Sequence, residues 1–427
     1  MEVREGYKQT EVGVIPEDWN LTKFSDFAET EGGYAFCSKK FQVSGKYQVV
    51  KMSNIYGGVL NLLRSQSFID EVSINEKHYV LNPNDIIITL TGTVGKTDYG
   101  YSWRIDTEKN LLLNQRVARI IVEDFVNSKF VGYYCKTPML LKQFFERAKG
   151  GTGNQTNVGT NDIKEIMISL PKTLEEQTAI ANTLSDTDEL IQSLETLITK
   201  KYSIKLGAMQ ELLKPKEGWV VKTFGDLFTI SGGYSASRDQ LSREGPGYCY
   251  LHYGDIHGSK KNFVDVANEY MEIPKLNIQL NKISRTSLLN EGDIVFVDAS
   301  EDDEGTSRHI VIRNPYGIPF ISGLHTIVAK SIDLTINNEF KRYCFQSAYI
   351  KSQFKFYAVG TKVTGISKSN IAKIEIFVPS VEEQTRIATI LSDMDAEITA
   401  LVVKLDKYKQ IKQGMMQTLL TGRIRLI

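Results

Sequence analysis

The chain has 427 residues, 41% hydrophobic and 24% charged, an ordinary balance for a water-soluble protein with apolar material for more than one core. No run approaches the roughly 18 consecutive apolar residues of a membrane span. The opening Met1-Glu2-Val3-Arg4-Glu5 lacks the apolar stretch of a signal peptide, so a cytoplasmic protein is expected. The 51 basic and 51 acidic side chains cancel, yet residues 305–375 carry ten Lys/Arg against three Asp/Glu, and 96–164 carry eleven against seven. A zero sum therefore does not exclude local positive fields. Cys37, Cys135, Cys249 and Cys344 are far apart and form no CxxC, and His252 and His257 lack the spacing of a shared helical face, so no metal site and no disulfide framework is expected.

In chain order, residues 1–170 read as a mixed domain. β-branched runs predict strands over 47–52, 85–90 and 116–122, and aromatic residues at helical spacing predict one helix over 130–147. Pro171 closes this region. Thr173 and Glu176 then have capping-box spacing, with the hydroxyl taking an orphan N–H and the glutamate reaching back. The steps of four and three through Ile180, Leu184, Thr187, Ile191, Leu194 and Ile198 are the seam of a coiled coil, and Lys214-Pro215 ends the helix. Residues 215–378 form a second mixed domain, with a strand over 293–297 and a helix over 340–357. Pro379, Ser380 and Glu383 repeat the start signal. Ile387, Leu391, Met394, Ile398, Leu401, Leu405 and Tyr408 repeat the seam, and Thr421-Gly422 ends it in the segment 379–427. About 40 residues per helix span roughly 60 Å.

The chain is thus written twice. From Glu175 to Leu213, 20 of 39 positions recur identically 207 residues later. Trp19, Phe24, Asp26 and Gly32-Gly33-Tyr34 return as Trp219, Phe224, Asp226 and Gly232-Gly233-Tyr234. A duplicated unit favours pseudo-two-fold symmetry, hence an antiparallel helix pair; the alternative is that each helix packs on its own domain's core. The expected fold is α+β: similar domains at 1–170 and 215–378, and long helices in 171–214 and 379–427. Gly207 and Gly414, at matched places, suggest close backbone approach where helices cross. Gly32-Gly33 and Gly232-Gly233 suggest turn geometry.

No catalytic constellation stands out. Gly92-Thr93-Val94-Gly95-Lys96-Thr97 has two residues between its glycines where a phosphate-binding loop needs four. It reads as a tight turn whose N–H groups and Lys96 could meet a nucleic-acid phosphate. Asn314-Pro315-Tyr316 lacks the second proline of an amino-methyltransferase loop. Chemistry alone nominates DNA-contacting residues in loops: Tyr34, Lys39, Lys40, Lys96, Arg104, Thr152, Asn154 and Gln155 in the first domain; Tyr234, Arg238, Arg243, Lys260, Lys261, Arg308 and Lys362 in the second. Gln177 and Gln384 are read as packing the helix starts.

The segments from Pro171 to Gln177 and from Pro379 to Gln384, the opening run from Lys8 to Trp19, and Leu419-Leu420-Thr421-Gly422-Arg423-Ile424 near the end resemble the type I restriction–modification specificity subunits. The resemblance runs through essentially the whole chain. It implies a non-catalytic subunit whose two target-recognition domains each read half of a bipartite DNA target, while the antiparallel helices set the gap. It also implies two modification (methyltransferase) subunits and restriction (translocase/nuclease) subunits as partners. S-adenosylmethionine, ATP and magnesium would sit on those partners, with no cofactor in this chain. Half-sites on one face of DNA recur about every 34–36 Å, within reach of such a helix pair. A related system with one fused nuclease–methyltransferase as partner fits the same residues. A coiled-coil adaptor bridging two proteins without reading DNA is the alternative.

Overall fold

The computed structural model describes residues 4–150, 153–259, 261–300, 307–360 and 364–426. Thr152, Lys260, Lys362 and the acidic run at 301–304 lie outside them. The chain divides into two compact units, Met1–Glu195 with Lys404–Ile427, and Thr196–Val403.

The first unit is built on an antiparallel sheet in the order Ser102–Arg104, Ile86–Thr89, Val117–Val122, Ala28–Gly32. Its strands are apolar on both faces because both are covered. Ile86, Ile88, Ala118 and Ile120 join Trp19, Phe24, Phe130 and Phe144 in the main core, while Ile87 and Val117 join Val50, Leu111 and Leu113 in a second cluster. There Tyr47–Val50 runs parallel to Leu111–Leu113 and antiparallel to Phe68–Ile69.

The second unit repeats this plan. Its sheet runs Phe228–Gly232, Thr326–Ser331, Ile294–Val297, His309–Arg313, with Phe263–Asp265 added in parallel at the edge. Tyr248–Leu251 runs parallel to Phe320–Ser322 and antiparallel to Lys275–Leu276.

The helix expected over 130–147 is two helices, Ser128–Tyr134 and Pro138–Glu146. Pro138 at the first helical position lacks an N–H to continue the earlier helix, and Thr137 starts a new one by accepting the Leu140 N–H at 3.3 Å. The helix expected over 340–357 likewise divides into Asn338–Cys344 and Ala348–Tyr357, where Ser347 accepts the Ile350 N–H at 3.3 Å.

The long helices are Leu174–Leu212 and Val381–Leu419, each of 39 residues. Thr173 and Ser380 cap them, accepting the N–H groups of Glu176 (3.3 Å) and Glu383 (3.2 Å). The returning half of the box is replaced, because each carboxylate has a cation to hold. Arg425 takes Glu176 and also grips Asp18 with two bonds of 2.9 Å. Lys216 (3.0 Å) and Arg386 (2.7 and 2.8 Å) take Glu383.

Within each unit, segments of the two helices pair antiparallel. In the first, Asp188 meets Lys412 at 2.5 Å and Glu195 meets Lys409 at 2.7 Å. In the second, Lys201 meets Glu397 at 2.6 Å and Lys205 meets Asp395 at 2.5 Å. Leu194, Ile198 and Ile398 are buried; Ile191, Met394, Leu401 and Leu405 are half-buried. Leu184 and Leu391 are fully buried, but each belongs as much to its unit's core as to the seam: Leu184 shares a cluster with Phe130 and Leu420, Leu391 with Phe340 and Met209. Gly207 and Gly414 are not at a crossing. Both are exposed, and a Cβ at either would meet nothing within 4 Å.

Candidate nucleic-acid interface

A depression of about 420 Å³ opens on the first unit where the two parallel strands Tyr47–Val50 and Leu111–Leu113 end. The chain leaving the first strand supplies Lys51 and Tyr56; the turn leaving the second supplies Asn114, Gln115 and Arg116. Tyr56 is 63% exposed, packs its ring 5.4 Å from Tyr101, and lies under the Arg64 guanidinium at 5.4 Å. Gly33 packs on the Asn114 carbonyl so closely that any Cβ would overlap the backbone. Gly233 stands against the Gly323 carbonyl in the same way. Close strand approach, not turn geometry, is therefore what these second glycines serve, since neither has a positive φ.

The donor set suits nucleic acid. Lysine and arginine meet phosphates, Arg also meets guanine, Asn and Gln read adenine, and exposed tyrosines stack. The anion in the depression is Asp98, held below the usual carboxylate range by the Thr93 N–H and hydroxyl, both at 2.8 Å.

Strand register fixes the matching positions in the second unit. Val50 pairs Leu113 as Leu251 pairs Ser322, and Thr89 pairs Val117 as Val297 pairs Thr326. The Lys51 N–H is taken by Asn54, as the His252 N–H is by Asp255. Lys51, Tyr101 and Arg116 thus correspond to His252, Arg308 and His325, and counting on from the shared cap sets Tyr56, in the strand Ile55–Tyr56, level with His257, in the helix Tyr253–Gly258.

Of the nominated residues, Lys39, Lys96, Asn154, Gln155 and Arg243 are exposed. Lys40 lies 3.5 Å from Glu76, Arg238 3.5 Å from Asp255, and Lys261 3.1 Å from Glu269, all with more than half of the side chain open. Arg308 donates to the His257 carbonyl at 2.6 Å. Three nominations are corrected. Tyr34 packs 5.0 Å from Phe36 and 5.1 Å from Tyr79, and Tyr234 packs on the Tyr250 cluster, so both are wall rather than surface. Arg104 is 13% exposed and already bound to Asn84 (2.7 Å) and Asp106 (3.0 Å). The turn at 92–97 presents Lys96, but three of its N–H groups are already taken: Thr93 donates to Asp98, Val94 to the Asn154 carbonyl and Lys96 to the Thr93 carbonyl. Asn314 is 3% exposed and closes a turn through Ile318, with bonds of 2.8 and 2.9 Å. Sequence reasoning missed Lys51, Tyr56, Tyr101, Asn114, Gln115 and Arg116. The available signal was the polar triplet between the apolar runs 111–113 and 117–118.

The roots of the long helices are duplicated too. Gln177 accepts the Asn127 N–H at 2.8 Å and donates to the Pro171 carbonyl at 3.0 Å. Gln384 accepts from Asn337 at 2.8 Å and donates to Pro379 (3.0 Å) and Thr335 (2.9 Å). Tyr133 donates to Asp188 at 2.8 Å, and Tyr343 to Asp395 at 2.9 Å. Burial, then the carboxylate, pushes the Tyr133 phenol upward, so it keeps its proton and remains a donor. Among the described residues, no group of three or more His, Cys, Asp or Glu could hold a metal ion, and no helix is long and apolar enough to cross a membrane.

The family described as type I restriction modification DNA specificity domain matches residues 16–201 and 216–413. The specificity subunit of the type I restriction enzyme MjaVIII of Methanocaldococcus jannaschii is 24% identical, over 99% of this chain and 96% of its own length. That of EcoAI of Escherichia coli is 26% identical over 46% of this chain and 32% of its own length. The crystal structure of the S subunit of a type I restriction–modification system from M. genitalium covers 98% of both chains at 17% identity, with a TM-score of 0.55. A chain from a structural study of complex assembly in the type I system covers 96% of this chain and 99% of its own length, at 14% identity and a TM-score of 0.57.

Proposed function

Since the chain belongs to the type I restriction–modification specificity family, we propose that its two units each read one half of a bipartite duplex target through the matched surfaces at Lys51–Arg116 and His252–His325. The chain is a recognition subunit rather than a catalyst, and its partners are DNA and the other subunits of the system. Two modification subunits and the restriction subunits join it in the cytoplasm. S-adenosylmethionine, ATP and magnesium belong to those subunits. The long helices set the number of base pairs between the halves. The adaptor alternative has no support in the family match.

The observation that carries this reading is the repetition, residue by residue, of one strand register that brings the same two loops together in each unit. The first-unit surface offers three cations, two tyrosines and an Asn-Gln pair in one open depression. Titrating a mixed-sequence duplex with the full chain and its modification partners at rising salt tests it. A steep loss of affinity is expected, with Arg116→Gln lowering the log–log slope by about one. An unchanged slope and affinity in that variant would remove Arg116 from the DNA surface.

A further inference from the structure

The second unit repeats the first unit's surface with a different charge chemistry. The permanent cations Lys51 and Arg116 are matched by His252 and His325, and Tyr56 by His257, so three of the chain's five histidines converge on one place. Tyr253 stands at their centre. Its ring lies 4.4 Å from that of His252, 5.6 Å from His325 and 6.2 Å from His257. Arg308 ties itself to this group through the His257 carbonyl.

The three imidazoles are not equivalent. His252 is 8% exposed, and its Nδ1 accepts the Gly254 N–H at 3.0 Å, which a protonated ring could not do. Burial, then the Arg238 guanidinium, holds it below the ordinary imidazole range, so it is a neutral helix cap. His257 is half-buried, with Nε2 3.3 Å from the Ala299 carbonyl. His325 is half-exposed, with Nδ1 3.3 Å from Asp298 Oδ1, a buried oxygen without a hydrogen-bond partner among the described residues. His325 also has φ 55°, left-handed backbone that costs a non-glycine residue energy and that His, Asn and Asp tolerate best. Among the described residues, the charged groups around the cluster are Arg238 and Asp255 on the side of His252, Asp298 behind His325, and Arg308 beside His257.

We propose that the second unit's DNA-contact surface is this group around Tyr253, and that it holds backbone phosphate through the imidazolium forms of His257 and His325. This rests on the DNA-reading function given above. Histidine is the side chain whose charge changes between pH 5 and 8, and each imidazolium added beside a phosphate supplies a charge-assisted contact. The second unit's grip therefore strengthens as pH falls from 8 to 6, while the first unit's arginine and lysine keep theirs constant.

The test is the affinity of the full chain for a labelled 30-base-pair mixed-sequence duplex at fixed salt, at pH 8 and pH 6, for wild type and three variants. Wild type is expected to bind roughly tenfold more tightly at pH 6, the worth of one charge-assisted contact. His257→Gln with His325→Asn, chosen because Asn tolerates the left-handed backbone, should lose most of the rise between pH 8 and pH 6. His325→Arg should bind more tightly at pH 8 and respond less to pH. Arg116→Gln, in the first unit, should weaken binding equally at both pH values and keep the rise. A flat wild-type profile, or a double variant that keeps the full rise, overturns the inference while a loss in Arg116→Gln leaves the DNA-reading function standing. No loss in Arg116→Gln at either pH instead sinks the reading of these surfaces as DNA contacts, and the inference with it.

Discussion

Gln177 and Gln384 are 1% and 0% exposed, and each joins a helix start to the first turn of a domain helix. Replacing either by leucine strands a buried N–H and carbonyl, so each variant should lose about 1–3 kcal/mol in denaturant unfolding; a loss under about 0.5 kcal/mol would show that the clamp is incidental. Gly207 and Gly414 behave oppositely. With open space around each, alanine should stabilise by about 0.5–1 kcal/mol, read as a raised unfolding midpoint. Their pairing across the repeat was visible in the sequence, but which face of the helix they occupy was not.

His309 supplies a pH effect. It is buried against Phe296 and Phe345, and burial pushes its imidazole down to about 4. A depressed histidine folds neutral, so its stability is whole above the unfolded value of about 6.5 and drains as pH falls toward 4, by about 3 kcal/mol in all. His309→Leu should remove that acid-side loss in melting curves between pH 7 and pH 4. An unchanged acid limb would contradict it.

At the scale of elements, the long helices were legible almost to the residue, because heptad spacing, a hydroxyl cap and a Pro or Gly stop are all local signals. The strands were legible for the same reason: 86–89, 117–122 and 294–297 are short β-branched runs. The split helices were not, since continuous apolar spacing across Thr137-Pro138 hid the second start. The proposed DNA surface was least legible. Lys51 and Arg116 stand 65 positions apart, and only the parallel pairing of Tyr47–Val50 with Leu111–Leu113 brings their loops together. The loops nominated by composition alone captured exposed cations and missed that convergence. A prediction belongs here as well. One heptad inserted into both long helices adds about 10 Å, close to three base pairs, so the gap between half-targets should lengthen while each half stays the same. Altered halves with the old gap would refute the helices' role in spacing.

At the scale of the whole molecule, a duplicated unit explains why a chain of zero net charge can serve DNA. Lys51, Arg64 and Arg116 gather at one depression in the first unit, histidines stand at matching places in the second, and other charges pair with each other, as in Lys412–Asp188 and Lys205–Asp395. Each unit carries its own sheet, its own core and its own glutamine clamp. Their reading should be separable accordingly. The most direct test exchanges residues 16–170 for the corresponding segment of a relative of different specificity, then maps modified bases across the genome of a host carrying the assembled system. A two-part target in which one half changes and the other is retained is the predicted result. A target that changes in both halves, or in neither, would contradict the central claim.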